Sequence, residues 1–188
     1  WALDQPVQWY DKRRLVPFGE FFPVPQAVRE WLRLMNLPYS DFQPGRADPA
    51  PLRAAGETFA PTVCYEDAYG SEQLGLVRQS SLLVNVTNDA WFGDSTAPHQ
   101  HLDISRMRAL ESGRAMLRAT NDGVTALIEH DGSLLGTLPQ FQPGVLTGEV
   151  QPRTGLTPYV RFGNWPVLAV LWVGLAVIAV SCRRRIRR

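Results

Sequence analysis

The spacing of hydrophobic positions changes several times along this chain, and each change marks an element. Thr58–Cys64 (TFAPTVC) reads as a short strand ending at the cysteine, and Leu82–Thr87 (LLVNVT) as a buried strand. Ser71–Gln79 forms a helix between them, which makes a strand, helix, strand unit. From His99 to Ala119, Leu102, Met107, Leu110, Met116 and Leu117 recur at mixed three- and four-residue spacing. One long amphipathic helix is predicted there, with Pro98 in its first turn. Val124–Glu129 and Leu134–Leu138 flank an Asp131-Gly132 pair and predict a hairpin, and Val145–Val150 predicts one more strand. Ahead of the cysteine, Trp1–Leu15 reads as strand and loop, and the prolines and glycine of VPFGEFFPVP exclude a regular helix. Gln26–Asn36 carries Val28, Trp31, Leu32 and Met35 at helical spacing, whereas the prolines and glycines between Pro38 and Gly56 mark a long loop. The mixture predicts an α/β fold.

A different pattern begins at Trp165. Through Cys182 the chain reads WPVLAVLWVGLAVIAVSC, without a charge, between Arg161 and Arg183. At ~1.5 Å per residue this run spans about 27 Å, close to a hydrocarbon core of roughly 30 Å, so one transmembrane helix is predicted over 165–182. The arginine-rich end, RRRIRR (183–188), is then the cytoplasmic tail, and residues 1–160 lie on the other face. In a bacterium that face is the periplasm, and the membrane is the inner one. The chain opens WALDQPVQWY, without a start methionine or a signal peptide, so an export signal and further chain are expected upstream.

Composition changes this picture in two places. With 45% hydrophobic and 20% charged residues the chain suits a packed domain. Its net charge of +1 conceals five arginines in the last six residues, which leaves the first 182 at −4. A mildly acidic body does not suit a phosphate backbone, and nucleic acid is excluded as a partner. Eighteen arginines stand against one lysine, Lys12, and two cysteines, Cys64 and Cys182, are too few for a disulfide framework.

Those two scarce residue types carry the candidate chemistry. Cys64 sits at a predicted strand end in TVCYED, where backbone N–H groups after the strand are free to stabilise an oxyanion. Taken alone, it reads first as a small buried hydrophobe, and only its context favours a nucleophile. An ammonium near a thiol favours the thiolate and can donate to an oxyanion, which makes Lys12 either a partner of Cys64 or a solvated surface lysine. Glu20, eight residues on, and Glu66, two residues past the cysteine, could act as bases or orient the lysine, or could face solvent. His99 and His101 lack the companion ligands of a metal site and read as helix-start structure; no metal and no cofactor is expected. The apolar FFPVP and WLRLM segments read as core or as membrane-dipping arms.

The words WYDKRRLVPFGEFFP, CYED, NVTNDAWFGDSTAPHQH, MRALESGRAMLRATNDG and TGLTPYVRFGNWP together resemble the apolipoprotein N-acyltransferase family, a membrane branch of the nitrilase superfamily. The likeness runs nearly end to end. It implies part of a nitrilase-like α-β-β-α sandwich over residues 1–160, followed by one transmembrane helix. It also implies a glutamate, lysine, cysteine triad that passes an acyl chain from a phospholipid, through a thioester, to the amino group of a diacylglyceryl apolipoprotein. By resemblance Cys64 is the nucleophile, and Lys12 stabilises the oxyanion with the N–H of Tyr65. Glu20 is a supporting glutamate, and Tyr65 and Glu66 belong to the active-site loop. Arg14 stands where the family has a histidine. The triad glutamate, the general base, has no counterpart before Lys12, where Asp4 and Asp11 are the acids, so this chain alone is expected to be inactive. Two other readings use the same residues: a membrane-anchored nitrilase-type amidase, and a non-catalytic envelope-binding module.

Overall fold

The computed structural model describes residues 6–35 and 42–186. Its centre is one six-stranded sheet, with strands in spatial order β1 (Leu52–Ala54), β2 (Glu57–Val63), β3 (Leu82–Thr87), β4 (Met116–Thr120), β5 (Ala126–Ile128) and β6 (Leu134–Thr137). The middle three strands run parallel, and antiparallel pairs extend the sheet at both sides. Parallel neighbours need a crossover, and α2 (Gly70–Val77) and α3 (Ala97–Ser112) supply two of them.

Alternation along the strands divides the sheet into two unlike faces. Ala60, Leu83, Met116 and Ile128 pair in one row across four strands and pack with Leu76 and Val77 of α2, Leu102 and Ala109 of α3, and Val160 of α4 (Pro158–Phe162). The next row on this same face is polar: Thr62, Asn85 and Arg118, all buried. On the opposite face Val84, Leu117 and Leu127 are half-buried, and Val86 is exposed. The described residues thus form one sheet with a helical layer on one side, an α/β half of the expected sandwich.

The predicted strands at 58–64 and 82–87, the helix at 71–79 and the hairpin 124–138 appear with small shifts of their ends. The hairpin is β5 and β6, with Gly132 at φ 81° in its turn. Four expectations are corrected. The helix predicted for His99–Ala119 stops at Ser112, because Gly113 takes the left-handed conformation (φ 63°) and the chain re-enters the sheet as β4. The loop predicted for 38–56 contains β1, joined to β2 through Ala55 and Gly56, whose positive φ angles (52° and 82°) match the twist of a two-residue hairpin turn. No strand forms at Val145–Val150, and the described part of Trp1–Leu15 contains none either. The helix predicted at 26–36 is α1 (Gln26–Leu34), and Asn36 lies outside the described residues.

The last helix, α5 (Trp165–Ile186), buries none of its apolar span, Trp165–Arg183, whose mean hydropathy is 2.2. By length and composition it is a candidate membrane span.

Candidate functional site

Cys64 follows the last residue of β2 and has φ +56°, a conformation that a side chain with a Cβ adopts at a cost. A 3-10 turn over Cys64–Ala68 starts there, so its first N–H groups have no acceptor within the turn. The thiol is half-buried.

What holds the lysine segment next to this turn is Glu66. Its fully buried carboxylate accepts from the N–H of Val63 (2.8 Å), just before the cysteine, and from the N–H groups of Arg13 (2.6 Å) and Arg14 (3.0 Å), just after Lys12. The Tyr10 hydroxyl donates to it as well (3.0 Å), and burial pushes that phenol up to about 12. One side chain thereby ties the two catalytic candidates to a common anchor. Arg13 extends the tie to Gln73 of α2 (2.6 Å), and Arg14 pairs with Glu72.

Above this anchor, Lys12 Nζ donates to Glu20 Oε1 (2.7 Å) and lies 5.6 Å from the ring centre of Tyr65. Glu20 is fixed in turn by the N–H of Val16 (2.8 Å). The Tyr65 hydroxyl donates to the Leu15 carbonyl (3.0 Å), and its ring meets Tyr69 edge to face at 5.3 Å. Burial, then the neighbouring Tyr69, pushes the Tyr65 phenol up. Of the five residues singled out in the sequence, Cys64, Tyr65 and Glu66 lie in the turn, Lys12 meets it over the Tyr65 ring, and Glu20 joins through Lys12.

Behind the turn is a buried charge cluster that sequence reasoning missed. Arg118, in the middle of β4, donates to Asp89 Oδ2 (3.0 Å), Ser105 Oγ (2.8 Å) and Asn85 Oδ1 (2.8 Å), and it lies 3.6 Å from Asp67 Oδ2. His101 bridges the same two carboxylates, with Nδ1 2.9 Å from Asp89 and Nε2 3.0 Å from Asp67. Two ring nitrogens each facing a carboxylate oxygen require both to carry protons, as in an imidazolium. Burial would lower the imidazole, but hydrogen bonds to Asp67 and then Asp89 outweigh it and raise His101 to about 9. Burial would likewise raise Asp89, but His101 and then Arg118 reverse this and hold its carboxyl below the ordinary range. His101 is therefore the centre of an ion bridge, while His99 is exposed. The signal for the cluster is period two in MLRAT: it puts Arg118 on the buried face with Met116, where a guanidinium demands carboxylate partners.

A folded imidazolium that titrates near pH 9, against an ordinary 6.5, means that the folded protein holds one extra proton between those values. This stabilisation is complete below about pH 6.5 and is lost as pH rises through about 9. Thermal melting is therefore expected to drop across that interval, and His101→Gln should flatten the drop. An equal slope in the variant would show that His101 is not the group responsible.

The profile of the carbon-nitrogen hydrolase family matches residues 3–159. The chain is 50% identical over 181 residues to the apolipoprotein N-acyltransferase of Azotobacter vinelandii, covering 95% of this chain and 34% of that protein. It is 48% identical over 176 residues to the protein of the same name from Methylococcus capsulatus, covering 94% and 35%. The chain thus spans about a third of the length of these curated relatives. Among solved structures, an amidase from Nesterenkonia sp. aligns with a TM-score of 0.47 at 25% identity, over 56% of this chain and 42% of that one.

Proposed function

This chain belongs to the carbon-nitrogen hydrolase family, and from that premise we propose that it takes part in the N-acylation of lipoproteins, with Cys64 carrying the acyl group as a thioester. One observation supports this above the others: a strained cysteine at a strand end, with the Lys12–Glu20 pair fastened beside it through Glu66.

In this reading the Cys64 sulfur attacks the ester carbonyl of a phospholipid, and the carbonyl oxygen takes up negative charge. Lys12 and the Tyr65 N–H meet that charge, and collapse of the intermediate expels a lysophospholipid and leaves an acyl thioester. The amine of a diacylglyceryl-cysteine then attacks the thioester, forming the amide and freeing the thiol. Glu20 orients Lys12. Glu66 shapes the loop through its hydrogen bonds to backbone on both sides. The carboxylates of Glu20 and Glu66 are committed to these contacts, so we assign the base that takes the thiol proton to a group outside the described residues. Residues 1–160 supply the periplasmic catalytic part, 165–182 the anchor in the inner membrane, and 183–188 the cytoplasmic tail. The apolar span of α5 favours a lipid donor over the small amides of a soluble amidase.

The test is mass spectrometry of the protein as encoded, purified from membranes. A fatty-acyl mass on the Cys64 peptide is expected, together with its loss, and loss of lipoprotein N-acylation, in Cys64→Ala. No adduct is expected on the 188 residues expressed by themselves. Transfer that persists in Cys64→Ala would overturn the reading, as would the lack of an adduct when phospholipid is present.

A further inference from the structure

The polar row of the sheet ends at the nucleophile's own carbonyl. Asn85, fully buried in β3, donates from Nδ2 to the Cys64 carbonyl oxygen (3.1 Å) and to Thr62 Oγ1 (3.0 Å). Its Oδ1 accepts from Arg118 Nη1 (2.8 Å). This pattern fixes which way the amide points. Turned over, it would set an NH2 against a guanidinium and an oxygen against a carbonyl. Arg118 cannot swing away, because Asp89 and Ser105 hold it and His101 ties Asp89 to Asp67.

A trans peptide joins Cys64 to Tyr65, and in such a unit C=O and N–H point in opposite directions. With the Cys64 carbonyl drawn inward to Asn85, the Tyr65 N–H points the opposite way, away from the polar row. It heads the 3-10 turn, where no carbonyl of the turn competes for it. The positive φ of Cys64 places the peptide in this attitude at a cost in backbone strain, and a strained conformation persists only when its surroundings over-determine it.

We propose that Asn85 is a positioning residue that locks the Cys64–Tyr65 peptide plane, so that the Tyr65 N–H is aimed at the acyl oxygen before a tetrahedral intermediate forms. Arg118, with Asp67, Asp89 and His101, is the frame that keeps the Asn85 amide in place. This inference rests on the reading of Cys64 as the acyl-carrying nucleophile.

Asn85→Asp in the protein as encoded separates this role from a merely structural one. The carboxylate still accepts from Arg118, but it repels the Cys64 carbonyl instead of donating to it. The kcat of acyl transfer should fall about 100-fold, the scale of losing one oxyanion donor, with KM little changed. Alkylation of Cys64 by iodoacetamide, read by peptide mass spectrometry, should stay within about twofold of the wild type. That reaction displaces iodide at a saturated carbon and builds no oxyanion. Unchanged transfer would overturn the proposal, and so would alkylation falling in parallel with transfer. Should Asn85→Asp fail to fold, Thr62→Val decides: it removes the second anchor of Nδ2 and should lower transfer about threefold at unchanged alkylation. No change in transfer there would also overturn the proposal. If Cys64→Ala retained transfer, the reading of the nucleophile would fail instead, whatever Asn85 does.

Discussion

Replacing Lys12 by methionine is expected to lower the rate of acyl transfer by about 1,000-fold, the upper range for removal of one charge-stabilising donor from an acyl-transfer site. The side chain is 12% exposed, lies 2.7 Å from Glu20, and rests over the ring of the residue that follows Cys64. At such a place an ammonium acts through low-dielectric surroundings and needs no reorganisation as the oxyanion develops. Lys12→Arg should not restore activity, since a planar, fork-shaped guanidinium cannot present a compact charge in the same space. Stability should change little in either variant, because Glu20 is partly exposed and can be hydrated when its partner is lost. Transfer to a diacylglyceryl peptide by protein purified from membranes gives the rate, and thermal melting checks the fold. An arginine variant within about tenfold of the wild type would mean that Lys12 supplies only diffuse positive charge.

The second large effect is on the fold. Arg118→Met is expected to destabilise the protein by about 3–5 kcal/mol, the usual cost of leaving buried charge uncompensated. Asp67 and Asp89 are both inaccessible to solvent, and without the guanidinium only His101 balances two carboxylates. Methionine fills similar volume, so the loss measures charge and hydrogen bonding and not a cavity. For a chain of this size the midpoint of thermal unfolding should fall by about 10 °C. A shift of a degree or two would show that the carboxylates find other compensation, and the frame around Asn85 would then be less rigid than its contacts imply.

These two residues also mark the boundary of what can be read from the chain. Lys12, Cys64 and Glu20 were legible because they are scarce or stand in distinctive words, and scarcity needs no structure to be seen. Strand β3 was legible because LLVNVT is a short apolar run with no helical alternative. Arg118 was not. Its neighbours Met116 and Leu117 extend the apolar spacing of α3, and only the left-handed Gly113 separates a helix from a strand there. Once β4 is taken for helix, a charged residue on it looks like a solvated face. Its partners are supplied from a turn after β2, a loop after β3 and the next helix, so no local pattern joins them. The part played by Glu66 was hidden for a similar reason. A carboxylate beside a thiol suggests proton transfer, whereas here it accepts hydrogen bonds from backbone more than fifty residues away as well as from Val63.

The Lys12–Glu20 pair has a consequence for self-protection. In the proposed reading an acyl group resting on Cys64 awaits an amine, and the sole lysine of the chain lies over the ring of the next residue. That side chain is already engaged, held at 2.7 Å by the Glu20 carboxylate. In that reading the pairing with Glu20 keeps Lys12 from intercepting the thioester, and the acyl chain is reserved for an amine from outside.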